Sequence, residues 1–291
     1  MNDTDTAAPT VRTLNDVPGW LTHTDRILFR WILQHQQPGD LLELGTYLGK
    51  TAIHMGSYLR AGERFTVCDL FDHARDDESL RPGARRAYAT LTQQRFERNY
   101  LAFHDQLPTV VRANTSEILS HVPAGSCRFI HIDASHKYED VRQDLLSARK
   151  LLNPHGIVVF DDYRTEHTPG TAAAIWEAVV SEQLRILCLS ANRFYATWAD
   201  PTETQRRLVR WIKRRDDHNC DIQQVLGQQV VRVARVRKLT DPPSQTATSA
   251  WRRAADALLP PVAASALRRH LSTLRAARRR RPSTVASSLP D

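Results

Sequence analysis

The sequence predicts an α/β protein built on a doubly wound, mostly parallel sheet, with a helix before the sheet and an extension after it. From Asp40 onward, short apolar runs bounded by Gly, Pro or Asp alternate with longer segments of helical periodicity, which is the pattern of βαβ units. The first run turns through Gly45 and Gly49 into a helical segment, as is typical of the first strand–helix junction in such sheets. No apolar run approaches the roughly 18 residues that a transmembrane helix needs, so we expect no membrane span.

The individual elements follow from local patterns. Apolar residues recur at helical spacing over residues 20–32, where Thr22 and Asp25 resemble a capping box, so a helix leads into the core. Further helical periodicity covers residues 88–103 and, with a basic face, residues 202–215. Strands are predicted at residues 40–44, 64–70, 109–113, 128–132, 157–160, 185–189, 194–198 and 229–236.

We divide the chain of 291 residues into three parts. Residues 1–14 are expected to be a disordered N-terminus, residues 15–240 the α/β domain with its extension, and residues 241–291 a linker and an Arg-rich tail. The formal net charge is +8, but nine Arg against two Asp after Thr248 account for seven of these charges. Because the rest of the chain is nearly neutral, nucleic acid is not the expected partner.

The cellular compartment is inferred from the N-terminus and the cysteines. The first ten residues are acidic, small or polar, whereas a signal peptide needs basic residues followed by an apolar stretch, so we expect a cytoplasmic protein. The cysteines lie far apart without C-x-x-C spacing, which suggests neither a disulfide framework nor a zinc site. They are Cys68, Cys127, Cys188 and Cys220, and the first three lie in apolar segments typical of a core.

The most distinctive local motif is the strand, glycine turn and helix start that ends in Lys50 and Thr51. Such a turn brings backbone N–H groups to the carboxyl edge of the sheet, where a nucleotide-like ligand can approach. If it is a phosphate loop, its Gly45–Gly49 interval is one residue short of the G-x-x-x-x-G-K-[ST] pattern. The later apolar run that ends in Asp161 does imitate the magnesium-binding strand of such NTPases.

A nucleoside site is the other interpretation of the same turn. Glu43 would then engage an ammonium or hydroxyl group, and Asp69, twenty residues after Gly49, would bind ribose hydroxyls. A purely structural alternative also stands, in which Lys50 and Thr51 only begin a helix and Asp69 only caps a loop.

Two further strands end in acidic residues. Asp133 follows one strand and is itself followed by His136, while Asp161 and Asp162 follow the next. Carboxyl ends of parallel strands share one edge of a sheet, so we expect these groups to converge near the glycine turn. Neighbouring carboxylates repel unless a cation such as magnesium compensates. We therefore predict Asp133, Asp161 and Asp162 as metal ligands, with His136 or Asp133 taking the proton of a substrate hydroxyl; the alternative is that these side chains only cap turns and helices.

Two more histidines lie in these segments. His131 alternates within an apolar strand, which is typical of a core or hydrogen-bonded histidine rather than a ligand. His167 follows the paired acids on a loop at the same edge, where loops usually shape a pocket, so it is a better candidate than His131 for contact with a substrate.

The glycine turn, Asp69, the FIHIDASHKYEDVRQDL segment and the GIVVFDDY strand end resemble the class I S-adenosylmethionine-dependent methyltransferases. Within that class they are most similar to methyltransferase family 24, which is related to macrocin-type and other divalent-metal-dependent O-methyltransferases. The likeness runs from about Leu41 to Trp198, and its most specific parts are the Asp-x-x-His segment and the Asp-Asp strand end. It implies a Rossmann-like sheet of the class I methyltransferase type.

The resemblance also implies roles for single residues. The glycine turn would cradle the methionine part of the cofactor, Asp69 would hold the ribose, and Asn114 with Ser116 would lie near the adenine. Magnesium would be held by the three carboxylates predicted above, with catalytic roles for Asp133 and His136. The implied cofactor-binding residues are Glu43, Gly45, Thr46, Gly49, Asp69, Asn114, Ser116 and Asp133.

We therefore expect an enzyme that transfers a methyl group from S-adenosylmethionine to a hydroxyl group of a small molecule, such as a natural product, a sugar or a phenol. Magnesium is the expected metal, and a homodimer is allowed for. Three alternatives stay open: a P-loop-like NTPase that uses Lys50, a non-catalytic module that binds the cofactor or a partner, and methylation of RNA through the Arg-rich tail.

Overall fold

A computed structural model of the chain describes residues 11–71 and 91–236. In this part a nine-stranded sheet has the order β3-β2-β1-β4-β5-β7-β6-β9-β8. Strands β1 to β5 pair in parallel, and β7 runs antiparallel between β5 and β6. The strands are β1 (Asp40–Leu44), β2 (Phe65–Cys68), β3 (Thr109–Val111), β4 (Cys127–Ile132), β5 (Leu152–Phe160), β6 (Arg185–Leu189), β7 (Phe194–Thr197), β8 (His218–Val225) and β9 (Gln228–Arg235). The predicted α/β class with a mostly parallel sheet is confirmed.

Helices connect the strands. They are α1 (His23–His35), α2 (Lys50–Gly56), α3 (Gln93–Leu101), α4 (Tyr138–Leu151), α5 (Pro169–Ser181) and α6 (Thr202–Ile212), with 3-10 helices at Leu14–Asp16 and Thr115–Ser120. The predicted lead-in helix is α1, and the Thr22 hydroxyl accepts a 3.1 Å hydrogen bond from the backbone N–H of Asp25, as its capping pattern predicts. No helix in the described ranges is both long and apolar enough to span a bilayer.

Side chains from the two faces of the sheet form two separate hydrophobic clusters. Neighbouring residues of one strand go to opposite clusters, as Phe129 and Ile130 of β4 do, because side chains alternate across a strand. Helices α1, α2 and α6 bury apolar residues in the first cluster, and α4 and α5 in the second. Both faces are therefore covered, which is what makes the sheet doubly wound.

Several predicted bounds differ from the observed ones. Strand β2 ends at Cys68 rather than residue 70, and β5 begins at Leu152, five residues before the predicted start. Strand β8 was not predicted because its sequence, HNCDIQQV, lacks apolar alternation, and most of its residues are exposed or half-buried. It forms through the hairpin with β9, whose turn holds Leu226 and Gly227 at φ of 50° and 73°.

Some predictions fall outside the described residues. These are the N-terminal residues 1–10, the start of the helical segment 88–103 and the Arg-rich tail after residue 236. The predicted domain limits therefore stay predictions. Within the described residues, Cys68, Cys127 and Cys188 are buried free thiols, as expected for core positions.

Candidate active site

The glycine turn after β1 leaves no room for a side chain. Gly45 has φ of 79°, and a Cβ built on it would lie 2.1 Å from the backbone oxygen of Asp133. Gly49 has φ of 91° and is the N-cap residue immediately before α2. Both angles lie in the left-handed region that favours glycine. The chain leaving β1 therefore passes directly against the chain leaving β4.

Asp69 closes this turn from the end of β2. Its Oδ2 accepts hydrogen bonds from the backbone N–H groups of Thr46 at 2.8 Å and Tyr47 at 2.9 Å, and its Oδ1 accepts one from Phe71 at 2.8 Å. Burial raises the pKa of Asp69 although these bonds lower it. A carboxylate offers about four lone-pair sites, so the predicted ribose contact and the capping role are compatible.

Glu43 lies beneath the turn. Only 1% of the residue is exposed, and its carboxylate accepts a 2.7 Å hydrogen bond from the Thr46 hydroxyl and lies 2.9 Å from Nδ1 of His131. Glu43 and His131 are register partners on β1 and β4. His131 is fully buried and hydrogen-bonded, as expected. Glu43 therefore acts on the turn through Thr46.

Arg193, at the turn from β6 to β7, belongs to the same buried network and was not singled out from the sequence. Its guanidinium donates to Asp161, to Oδ2 of Asp25 at 3.0 Å and to the backbone oxygen of Trp20 at 2.8 Å. Burial opposes its charge, but Asp161 and Asp25 outweigh burial and raise the pKa of Arg193. Arg193 thus joins the lead-in segment to the end of β5.

The acids predicted at the strand ends meet at the edge of the sheet. His136 Nε2 lies 3.3 Å from Asp162 Oδ2 and 4.0 Å from Asp133 Oδ1. Burial and the neighbouring charge of Asp161 raise the pKa of Asp133 well above its usual range. Burial acts the same way on Asp162, but the hydrogen bond and charge of His136 outweigh it and lower the pKa of Asp162. The structure thus brings together two carboxylates and one nitrogen of the His136 imidazole.

Some of the charged side chains at this edge of the sheet are suitable ligands for a hard divalent cation. One nitrogen of His131 and one oxygen each of Asp133 and Asp161 lie within 4.8 Å of one another. Asp161 already accepts from Arg193 and, at 2.8 Å, from the backbone N–H of Asp162. Burial, more than the charge of Asp161, raises the pKa of Asp133. Asp133 and Asp162 are therefore the predicted ligands that are best placed for a cation.

The adenine-side residues lie after β3. The Asn114 side chain accepts a 3.0 Å hydrogen bond from the backbone N–H of Ser116 and caps the 3-10 helix that follows. Both residues are exposed. Because β3 is parallel to β2, they lie at the same edge of the sheet as Asp69. Their predicted contact with the cofactor stays a prediction.

Lys50 and His167, which the sequence analysis also considered, lie outside the cluster of acidic residues. The Lys50 ammonium donates a 3.0 Å hydrogen bond to the backbone oxygen of Gly19, and burial lowers the pKa of Lys50. Lys50 thus ties α2 to the segment before α1. His167 is exposed on the loop after β5, where its charge is one of the influences that lower the pKa of Asp162.

The part of the chain that forms this edge of the sheet is similar to known proteins. Residues 42–163 match the model of methyltransferase family 24, described as a methyltransferase domain. The uncharacterized protein y4gI of Sinorhizobium fredii is 25% identical over 143 residues, which are 49% of this chain and 15% of that protein. The chain thus spans a small part of the length of this curated relative.

Solved structures of O-methyltransferases are also similar. NovP is 20% identical with a TM-score of 0.48, over 64% of this chain and 79% of that chain. CalS11, a TDP-rhamnose 3'-O-methyltransferase of calicheamicin biosynthesis, is 20% identical with a TM-score of 0.43, over 61% of this chain and 80% of that chain. We assign the fold from the strand order given above, because structural similarities of this size do not support an assignment.

Proposed function

Since residues 42–163 match the model of methyltransferase family 24, we propose that the chain transfers the methyl group of S-adenosylmethionine to a hydroxyl group of a small molecule. One observation carries the proposal. The glycine turn after β1, which admits no Cβ at Gly45, lies against the backbone of Asp133, whose side chain belongs to the cluster with His136 and Asp162. The residues that we propose for cofactor binding and those that we propose for proton removal are therefore adjacent.

On the cofactor side, the protein has to hold a reactive sulfonium in one orientation. The methyl donor carries its own driving force, so alignment with the acceptor is the main contribution of the enzyme. Asp69 and Glu43 fix the turn from two directions, through the backbone and the hydroxyl of Thr46 respectively. Such a rigid turn suits the close approach of the methionine part, and the exposed Asn114 and Ser116 suit the adenine.

On the acceptor side, His136 takes the proton of the hydroxyl group. The carboxylate of Asp162 lies 3.3 Å from the ring, where it would stabilise the imidazolium that forms. Asp133, with its raised pKa, is the other group that can hold this proton. In this way the acceptor oxygen becomes nucleophilic next to the cofactor.

A divalent cation, magnesium by preference, is a further part of the proposal. Asp133 and Asp162 would hold it, with Asp161 contributing as far as Arg193 allows. When bound, such an ion lowers the pKa of a hydroxyl that it contacts. We also propose that the protein is cytoplasmic and that it can form a homodimer. Cell fractionation tests the location, and gel filtration tests the oligomeric state.

An NTPase is less well supported. A phosphate loop needs its lysine directed at the phosphates, whereas the Lys50 ammonium donates to the Gly19 carbonyl. A non-catalytic module would not need a histidine that faces two carboxylates. Methylation of RNA would depend on the tail, which lies outside the described residues.

The test is transfer of label from methyl-labelled S-adenosylmethionine to a panel of phenols, sugars, glycosides and matched amines, with magnesium or with EDTA. We expect a labelled methyl ether, and less of it with EDTA. His121→Gln, at an exposed histidine, is the control for His136→Gln. Labelling of the amines alone would contradict O-methylation, and equal rates with EDTA would contradict the role of the metal.

A further inference from the structure

A second cluster of metal-binding side chains lies where the start of α1 meets the start of β8. His23 Nε2 lies 3.3 Å from Asp217 Oδ2, and His218 Nδ1 lies 3.0 Å from Asp217 Oδ1. The two imidazole rings are stacked with their centroids 5.4 Å apart. One donor atom from each of the three residues lies within 4.8 Å of the other two. None of these residues belongs to the proposed active site.

The buried ring of His218 has one nitrogen in an unusual position. Only 2% of the residue is exposed, and its Nδ1 lies 3.0 Å from Asp217 Oδ1 without forming a well-aligned hydrogen bond with any described residue. Its Nε2 lies 3.1 Å from the hydroxyl oxygen of Thr24. If Nε2–H donates to Thr24, a lone pair on Nδ1 faces the Asp217 carboxylate. Two electron-rich groups at that distance repel unless a cation lies between them.

We propose that His23, Asp217 and His218 bind a divalent transition metal of the zinc type. Two imidazoles and a carboxylate are donors that suit zinc. Ligand atoms on a tetrahedron with bonds of about 2.0 Å lie about 3.3 Å apart, and each imidazole has a nitrogen at about that distance from one oxygen of Asp217, His23 from Oδ2 and His218 from Oδ1. Metal-bound histidines commonly donate their second ring N–H to a neighbouring oxygen, which is the role of Thr24. The His23 side chain is 49% exposed, so the remaining position faces solvent.

Arg215 shapes the site without filling it. Its guanidinium donates to both oxygens of Asp217, at 2.8 and 2.7 Å. A carboxylate has about four lone-pair sites, so Arg215 leaves one on each oxygen and holds the group in a fixed orientation. Its positive charge opposes that of the metal, so we expect weaker binding than at a zinc site with four protein ligands.

The metal would link two parts of the chain that are distant in sequence. His23 and Thr24 begin α1, and His218 begins β8. The same turn of α1 carries Asp25, which binds Arg193. Zinc would therefore hold the C-terminal hairpin against the helix that supports the buried network, and we expect it to stabilise the fold.

The test is calorimetric titration of the tag-free protein with Zn²⁺, together with the visible absorption spectrum of bound Co²⁺. The variants are His23→Ala and Asp217→Asn. His121→Ala controls for loss of an exposed histidine, and Asp162→Asn removes a carboxylate at the sheet edge. Circular dichroism checks the fold of each variant, and His23 is exposed enough for its removal to leave the fold intact.

We expect the wild type and both controls to bind zinc at this site with the same affinity, including Asp162→Asn, which lacks a ligand of the proposed cation site at the sheet edge. His23→Ala and Asp217→Asn should bind zinc here at least tenfold more weakly, without the tetrahedral cobalt bands. A hundredfold excess of zinc over its dissociation constant should raise the Tm of the wild type by about 5 °C or more. Absence of zinc binding in the wild type would overturn the proposal. So would equal zinc binding by the wild type and His23→Ala.

Discussion

One nitrogen of the His136 imidazole faces two carboxylates, with Nε2 3.3 Å from Asp162 Oδ2 and 4.0 Å from Asp133 Oδ1. Asp162 has φ of 53°, a left-handed conformation that is uncommon for residues other than glycine. Its backbone oxygen accepts a 2.6 Å hydrogen bond from the Thr168 hydroxyl, which helps to hold this geometry. Strained residues of this kind cluster at functional sites, in agreement with the role proposed for this edge of the sheet.

Replacement of His136 by glutamine should slow methyl transfer. A general base contributes about 10²–10⁴-fold to the rate, so kcat should fall by this factor. The Kd of S-adenosylhomocysteine should stay within about twofold, because the side chain acts on the acceptor. Rates at saturating acceptor together with calorimetric titration measure both quantities. An equal loss in cofactor affinity would assign His136 to the cofactor site instead.

Replacement of Gly45 by alanine should abolish cofactor binding and destabilise the fold, because the new Cβ would lie 2.1 Å from the backbone oxygen of Asp133. Gly62→Ala is a matched control. Gly62 also has a left-handed φ, of 82°, but a Cβ added there would have no atom within 4 Å. It should cost only the conformational penalty of about 1–2 kcal/mol. Urea unfolding of both variants is the measurement, and equal losses would show that the contact with Asp133 is unimportant.

Replacement of Arg193 by methionine should destabilise the protein by about 3–5 kcal/mol, since it leaves Asp25 and Asp161 buried without their cation. Arg206→Met serves for comparison. Arg206 and Glu203 form a pair at 3.0 Å with both side chains 65% exposed, and such pairs contribute about 1 kcal/mol or less. Urea denaturation gives both free energies of unfolding. A loss below about 1 kcal/mol for Arg193→Met would mean that the network does not support the fold.

The sequence predicts most of the sheet because its strands are short apolar runs whose ends are marked by Gly or Asp. The end of β2 is misplaced by two residues, because Asp69 turns away to bind the glycine turn. The hairpin strand β8 is missed since pairing with β9, rather than burial of an apolar face, stabilises it. Patterns of hydrophobicity do not record that kind of stabilisation.

Only those parts of the candidate site that follow from the order and direction of the strands can be predicted from the sequence. Parallel strands bring Asp133, Asp161 and Asp162 to one edge, which the sequence alone implies. The pairing of Glu43 with His131 depends on the register of β1 against β4, and the approach of Arg193 to Asp161 depends on an antiparallel return of the chain. Neither contact produces a recognisable spacing of residues in the sequence. Arg193 does follow an apolar strand that ends at the same edge of the sheet.

Replacement of Asp144 by asparagine should stabilise the protein in a pH-dependent way. Asp144 is buried on α4, and its carboxylate oxygens form no well-aligned hydrogen bond in the described part of the chain. Burial raises the pKa of Asp144 from 3.8 to about 7, although an interaction with the Thr115 side chain acts to lower it. As the pH rises from about 4 to 7, the unfolded chain releases this proton while the folded chain retains it, so the wild type loses stability over that range and stays less stable above it.

The gain from Asp144→Asn should therefore be near zero at pH 4 and reach about 2–4 kcal/mol above pH 7. Urea denaturation at pH 4, 6 and 8 measures it, with Asp105→Asn at an exposed position as the control. The same gain at all three pH values would mean that packing, and not the buried charge, explains the effect.

The central claim is that the glycine turn binds the nucleoside of S-adenosylmethionine, and calorimetric titration with S-adenosylhomocysteine and with ATP, each with and without magnesium, tests it most directly. We expect the wild type and Lys50→Ala to bind S-adenosylhomocysteine with the same Kd, because Lys50 donates to the Gly19 carbonyl, and neither to bind ATP. Binding of ATP alone, lost in Lys50→Ala, would contradict the account and favour the NTPase.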